Sequence, residues 1–384
     1  MKLVFFSNFF NHHQVHISDE LSALTDGNYT FVETTPMPES FKKSGYPDYT
    51  MRSYVLQAWR NSEQMKDALQ LAVDADVALF DGYEALPFEI ERYKRDTRLL
   101  SFEVNERWCK HGIINYLSPR FLKWYYHYIT NFKKCNVYKL CCSAYLPNDM
   151  YNVGAFKDKC FKWAYLTMTK EFDVKHLVHS RPKGRLQIMW CARFINWKHP
   201  ELVIELAKEL KSEGYSFDLD MYGGGELFED IEKKIGYYHL QDVVHMKGNA
   251  PNDIILEEMK RHSIFLLTSD RNEGWGAVVN EALSNGCAVV ADECVGAVPF
   301  LVRHSVNGRI YKTMDLHSLK QNIIYYLNNP QELEANCLEA YKTMTDLWSP
   351  KNAAHSLITL INDLTEGHQT SVSDGPCSKA YPIK

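Results

Sequence analysis

Hydrophobic and polar positions along this chain follow two periods, and the change from one to the other recurs about every 20–30 residues. In the second half, 186–192 is a short unbroken apolar run, as expected of a strand buried on both faces. Pro200 opens a helix over 201–211, with Leu202, Leu206 and Leu210 four apart on one face. The pattern then repeats: a strand over 217–222, a Gly223-Gly224-Gly225 turn, and a helix over 226–234. A strand at 243–246 ends at Gly248, a helix covers 253–261, and strands follow at 263–268 and 287–291. The first half carries strands at 3–6, 30–34, 77–81 and 98–103, and helices at 62–75, 119–132 and near 158–166. Strands alternating with helices indicate α/β structure built on parallel, doubly wound sheets.

A chain of 384 residues accommodates two such units of about 150–200 residues each. The polar stretch 180–184, with Pro182 and Gly184, is the expected linker between units 1–180 and 185–348. An amphipathic run over 349–364 follows, and 365–384 lacks periodicity and is expected to be a mobile tail. Two open α/β units on one linker are expected to hold a ligand in the cleft between them, at the carboxyl ends of their strands.

Composition narrows this picture. The opening apolar residues stop at Ser7-Asn8, too soon for a signal sequence, and no apolar run approaches the roughly 18–20 residues of a membrane span. Ten cysteines without metal-ligand spacing suggest reduced thiols and a cytoplasmic setting. A net charge of −5 argues against nucleic acid as a partner. The charge is uneven: residues 98–180 hold 13 Lys and Arg against 6 acids, whereas 1–97 hold 9 against 15. Within the basic half, 119–134 mixes Lys and Arg with Trp and Tyr. This mixture suits either a buried helix with snorkelling lysines or a peripheral contact with an anionic membrane, on its inner face.

The densest chemistry lies in 268–286. Glu273 stands beside Gly274-Trp275-Gly276, and Glu281 lies in the helix that follows. A strand, a glycine turn and a helix start aim unpaired N–H groups at one spot and so make an anion site. The carboxylates cannot bind phosphate themselves and must serve hydroxyls beside it, as a sugar on a diphosphate would supply. Arg193 and Lys198, in the loop after the 186–192 strand, suit a diphosphate whose charge grows as it leaves. Taken alone, they read equally as ordinary surface charges.

In order, Arg193…Lys198, Gly223-Gly224-Gly225-Glu226, Lys247-Gly248, Glu273-Gly274-Trp275-Gly276…Glu281 and Gly286-Cys287-Ala288-Val289-Val290 closely resemble the motifs of retaining family 4 (group 1) glycosyltransferases. The resemblance covers 186–310 and implies the GT-B fold, two Rossmann-like domains facing each other across a cleft. It implies that Arg193 and Lys198 bind the donor diphosphate, that Glu273 contacts the transferred sugar, and that Glu281 contacts the ribose. Backbone donors from Gly274, Trp275, Gly276, Ala277 and Val278 would add to the donor site, with Gly224, Gly248 and Asn249 near the nucleotide. The donor would be a nucleoside-diphosphate sugar, of UDP type, and the acceptor a saccharide or lipid-linked saccharide. No cofactor and no metal are expected. Trp275 replaces the family's usual Phe, and 296–300 lacks the acidic residue common in that loop.

In the first half, His12 and His13 are candidates to orient the acceptor or reach the diphosphate. His16 is expected on the helix that follows, and Glu103 and Glu106 are acceptor candidates. Arg107 is expected to pair with a carboxylate. Asp218-Leu219-Asp220 has a metal-binding pattern but lies within a strand at period two, so it is not read as a metal site. The triple glycine lacks GxGxxG spacing, which argues against a nicotinamide. The alternatives are a sugar-nucleotide epimerase of the same fold and a non-catalytic sugar-nucleotide-binding subunit.

Overall fold

The computed structural model describes residues 1–39, 41 and 47–383. They form two compact units, one of residues 1–168 and 347–384, the other of residues 169–346. The first unit is a seven-stranded, all-parallel sheet of β1 (Leu3–Ser7), β2 (Tyr29–Glu33), β3 (Val55–Gln57), β4 (Val77–Asp81), β5 (Leu100–Asn105), β6 (Val137–Cys141) and β7 (Cys160–Lys162). Its strand order is β3-β2-β1-β4-β5-β6-β7. The second is a six-stranded parallel sheet of β8 (Leu186–Cys191), β9 (Phe217–Tyr222), β10 (Val244–Gly248), β11 (Ile264–Leu267), β12 (Ala288–Asp292) and β13 (Gly308–Tyr311). Its order is β10-β9-β8-β11-β12-β13. Both sheets are Rossmann-like. In each, the order reverses beside the first strand of the unit, the place where such folds bind ligands.

Helix starts follow local chemistry. Asn61 accepts from Gln64 N–H to cap Ser62–Asp74, and Ser118 accepts from Phe121 N–H to cap Pro119–Thr130. In the second unit Leu202, Leu206 and Leu210 are buried against the sheet as their spacing predicts. The final helix, Pro350–Thr365, packs on Val15–Leu24 in the first unit and buries Ala353, Leu357 and Ile361.

Three expectations need correction. The residues near 158–166 are not a helix. Cys160–Lys162 is a strand, because its backbone pairs with β6 on one side and with the end of the chain on the other. That pairing also corrects the mobile tail. Lys162 N–H donates to Ser378 O at 2.8 Å, Cys377 N–H to Lys162 O at 2.8 Å and Ala380 N–H to Cys160 O at 3.0 Å. The segment thus closes an otherwise open sheet edge, and Cys377 and Ser378 are buried. The stretch 180–184 is not a loose linker either. The chain enters the second unit at Thr169, the helix Val174–Ser180 packs on Pro330–Lys342, and buried Arg181 donates to the carbonyls of Lys260, Asn285 and Gly286.

Candidate active site

In a parallel sheet every strand-to-helix loop falls on one edge, so the loops after β8, β9, β10 and β11 gather there. They interlock through backbone bonds. Phe194 N–H donates to Gly224 O at 2.9 Å, Gly223 N–H to Gly248 O at 2.8 Å, and Leu227 N–H to Phe194 O at 2.9 Å. Gly223, at φ +124°, could carry no side chain: a Cβ would stand 2.0 Å from Ala192 O. A Cβ on Gly224 would lie 2.8 Å from Asn249 Nδ2, so these two predicted nucleotide contacts adjoin.

The Lys198 and Glu273 loops are tied together. Thr268 Oγ1, at the end of β11, donates to Lys198 O at 2.7 Å and accepts from the buried Trp190 Nε1 at 2.9 Å. Asp270 N–H donates to Trp197 O at 3.0 Å. The Lys198 ammonium then pairs with the Glu273 carboxylate, their side chains only 11% and 14% exposed. It also lies 4.3 Å from the centre of the Trp197 ring. Gly276, at φ +95°, gives Glu273 its room, since a Cβ there would come within 3.3 Å of Glu273 Cγ. Trp275 is buried and donates from Nε1 to Asn280 Oδ1 at 2.8 Å, which makes it a prop for the turn. Arg193 is exposed, its guanidinium 5.7 Å from the Trp197 ring centre.

The helix Val278–Ser284 starts at Ala277 without a side-chain cap, and Val279 N–H returns to Gly276 O at 2.9 Å. Glu281 is half-buried. Burial pushes its carboxyl up to about 7, against the opposing effect of a hydrogen bond with Asn252, the first residue of the helix Asn252–Arg261 after β10. The Cys191 thiol at the end of β8 is pushed up chiefly by burial. Sequence reasoning missed Asp270 and His199. Asp270 Oδ1 accepts from Asn272 N–H and Nδ2, both at 2.8 Å, and Oδ2 lies 3.2 Å from His199 Nε2. Glu201, 2.8 Å from His199 Nδ1, is the largest cause of that histidine's raised pKa. Asp218 pairs with Arg185 at 2.9 Å, and Asp220 with Lys247 at 3.1 Å and His262 at 3.4 Å. Among the described residues no cluster of three or more His, Cys, Asp or Glu is arranged to hold a metal.

The first unit has a cavity of about 580 Å³ at the same kind of edge, beyond the ends of β1, β4 and β5. His13 and Glu106 line it. His13 stacks on Tyr165, ring centres 5.2 Å apart, and burial, with His12 beside it, lowers its pKa to about 3, so it is neutral. The His12 ring lies 3.8 Å from that of His13, and its pKa is also lowered, chiefly by burial. His16 lies on the helix Val15–Leu24, as expected. Glu106 pairs with Lys110 at 2.7 Å, and Arg107 lies 3.6 Å from the Asp149 carboxylate. Glu103 is a correction. It is 3% exposed, bonded to the Lys139 ammonium and to Trp124 Nε1, and lines a small recess of about 20 Å³ that shares Gly82, Tyr83, Asn105 and Trp108 with the large cavity. A charge in mid-strand needs a partner in the interior, and Lys139 on β6 supplies it. Asp81, which sequence reasoning missed, ends β4 in the large cavity. It accepts from Ser7 Oγ at 2.8 Å, and its carboxyl is pushed up to about 7, first by burial. Its position just before Gly82 at a strand end was the available signal.

Of nine buried side-chain polar atoms without a hydrogen-bond partner among the described residues, five lie at these two edges. They are His13 Nδ1, Arg107 Nε and Trp108 Nε1 on cavity-lining side chains, and Ser269 Oγ and Asn272 Oδ1 in the Glu273 loop. Folded proteins leave few such atoms unpaired, so their clustering points to ligands rich in hydroxyl or phosphate oxygen.

The family model "Glycosyl transferases group 1" matches residues 172–344, nearly the whole second unit. Over 148 residues the chain is 31% identical to the poly(glycerol-phosphate) alpha-glucosyltransferase of Bacillus subtilis (strain 168), covering 38% of this chain and 21% of that protein. It is 30% identical over 139 residues to the amylovoran biosynthesis glycosyltransferase AmsK of Erwinia amylovora, covering 35% of this chain and 34% of that one. The chain thus spans about a fifth to a third of the length of these relatives. The crystal structure of Anabaena HepE in complex with UDP and glucose superposes with a TM-score of 0.65 at 14% identity, over 94% of this chain and 99% of that one. Staphylococcus aureus TarM superposes at 0.62 and 12% identity, over 94% and 100%. Residues 172–344 thus match the group 1 glycosyl transferases, and the fold of two Rossmann-like units is the one these solved structures share.

Proposed function

We propose that the protein is a retaining, metal-independent glycosyltransferase. It would move a sugar from a nucleoside-diphosphate donor to a hydroxyl of a saccharide or lipid-linked saccharide in polysaccharide or glycoconjugate biosynthesis. The observation that carries the reading is the half-sequestered Lys198–Glu273 pair, set among interlocked glycine loops with Ser269 Oγ and Asn272 Oδ1 unsatisfied beside it. Lys198 and Arg193 bind the diphosphate, Glu273 the transferred sugar and Glu281 the ribose. The first unit's cavity takes the acceptor. The sugar C1–phosphate bond breaks as the acceptor oxygen bonds to C1 on the same face, and the acceptor proton passes to the departing phosphate oxygen. Charge thus builds on the diphosphate, where Lys198 stabilises it. That HepE was solved with UDP and glucose supports a uridine nucleotide.

The test is a panel of sugar nucleotides, scored first by the rise in melting temperature and then by turnover. A UDP-sugar should stabilise the protein, and Glu273→Ala and Lys198→Ala should abolish transfer with the fold intact. Stabilisation by none of the panel, or unchanged turnover in both variants, sinks the reading. Release of nucleotide without a transferred sugar would instead identify an epimerase or a hydrolase.

A further inference from the structure

Beside the Lys198–Glu273 pair a second charged link joins the loops after β8 and β11, and transfer of the sugar makes no direct use of it. Lys198 ends a single helical turn, Asn196–Lys198, and His199 follows it at φ +48°. Glycine holds such a backbone without strain. The histidine adds a side chain whose two ring nitrogens both end against carboxylates. Nδ1 lies 2.8 Å from Glu201 Oε1, and Nε2 lies 3.2 Å from Asp270 Oδ2. A neutral imidazole donates from one nitrogen and accepts at the other, so it would set a lone pair against one of these oxygens. Only the imidazolium donates to both.

The charges around the ring agree. The bond to Glu201, in the first turn of the helix Pro200–Ser212, raises the imidazole pKa; burial opposes it and the bond to Asp270 adds to it. Burial acts to raise the Glu201 carboxyl, yet the bond from His199 and, last, the charge of Lys234 on the helix Phe228–Tyr237 hold it below its usual value. Asp270 in turn organises the segment that carries Glu273. Its carbonyl accepts from Glu273 N–H at 3.0 Å, its Oδ1 from Asn272 N–H at 2.8 Å, and its own N–H donates to Trp197 O at 3.0 Å. Fixing Asp270 Oδ2 therefore fixes the turn. Lys198 is held separately, its carbonyl accepting from Thr268 Oγ1 at 2.7 Å. When a diphosphate takes up the Lys198 ammonium, the link to Glu273 weakens and the link from His199 to Asp270 remains.

We infer that His199, as an imidazolium, is a positioning residue that clamps Asp270 and so holds the turn bearing Glu273 against the Lys198 loop, and that the clamp opens when the ring loses its proton. Its consequence for transfer rests on the transferase reading; the clamp itself does not. Because the folded protein raises this pKa above the ordinary 6.5, the clamp is complete below 6.5 and is lost as pH rises through the raised value. The loss falls on the turn that meets the sugar, so it reaches turnover before it reaches the binding of UDP, which has no sugar to place.

Nuclear magnetic resonance of the full chain without donor reads the charge directly. The imidazole signal absent from His199→Asn, a variant that suits the left-handed backbone, should titrate above 6.5. In Glu201→Gln the same signal should titrate at lower pH. At about pH 6 the Asn272 and Glu273 amides should exchange at least about tenfold faster in His199→Asn than in the unmodified chain. That gap should close as pH rises through the imidazole pKa. Turnover at saturating UDP-sugar should fall about 10–100-fold over the same pH range. His199→Asn should show the lower turnover throughout and lose less UDP affinity than turnover. A ring that titrates at or below 6.5, or equal amide exchange in the two proteins at about pH 6, overturns the clamp. So does turnover in His199→Asn that matches the unmodified chain at every pH. Absence of turnover with any sugar nucleotide would count against the transferase reading and leave the titration and exchange results standing.

Discussion

The Lys198–Glu273 pair makes a prediction with opposite signs for its two members. Without donor, the ammonium is committed to the Glu273 carboxylate, both side chains less than 15% exposed. A diphosphate recruited by Lys198 must share that ammonium or displace the carboxylate. Glu273→Gln keeps the shape and removes the competing charge. The amide leaves a hydrogen bond to the ammonium but removes the charge–charge attraction, about 1–2 kcal/mol at dielectrics between those of water and the protein surface. The ammonium is released by about 1–2 kcal/mol, so UDP should bind about 5–30-fold more tightly. Transfer should fall about 10²–10³-fold, the usual effect of deleting one group that stabilises the reacting centre. Lys198→Met removes the cation and should weaken UDP binding by about 1.5–3 kcal/mol, or roughly 10–150-fold. Calorimetric titration of UDP into both variants reads these effects. If Glu273→Gln weakens UDP binding as much as Lys198→Met does, the carboxylate holds Lys198 in place instead of competing for it, and the reasoning fails.

Glu281 has a carboxyl pushed up to about 7 in the unliganded protein. Ribose hydroxyls favour the charged form, so UDP affinity should rise as pH increases through 7 and fall about tenfold per unit below it, until the lower pKa of the complex is reached. Titrations across that range should flatten for Glu281→Gln. Gly276→Ala, forced to φ +95° and against Glu273 Cγ and Val295 Cγ1, should cost about 1–2 kcal/mol from the backbone alone. It should reduce transfer more than UDP binding, as turnover and calorimetry would show. Deleting residues 368–384 should uncover the β7 edge, lower the melting temperature of the first unit, and make the buried Cys160 thiol reactive to a maleimide.

The second unit was legible because three of its strands, β8, β11 and β12, are compact apolar runs and β9 alternates with period two before a glycine turn. β8, β9, β11 and β12 all lie within a residue or two of their expected places. Period two alone placed Asp218 and Asp220 within a strand, where both are held by cations. The first unit was harder to read. β3 is three residues long, β6 went unnoticed, and β7 is a strand by virtue of partners distant in sequence, a property no local window carries. The site shows the same division. Glu273, Lys198 and Glu281 were visible as charges beside glycine turns, whereas Asp81, Trp108 and Tyr165 become neighbours only when three strand ends meet. Glu103 misled because its spacing near Glu106 says nothing of Lys139, the partner that holds it in the interior.

The most direct test of the whole account is to follow a radiolabelled sugar from its UDP donor, in the presence of membranes and an excess of EDTA. The account predicts equal amounts of UDP and labelled glycoside, formed by the unmodified protein and lost in Glu273→Gln. Free labelled sugar alone, an epimerised donor, or turnover only after a divalent metal is restored would contradict it.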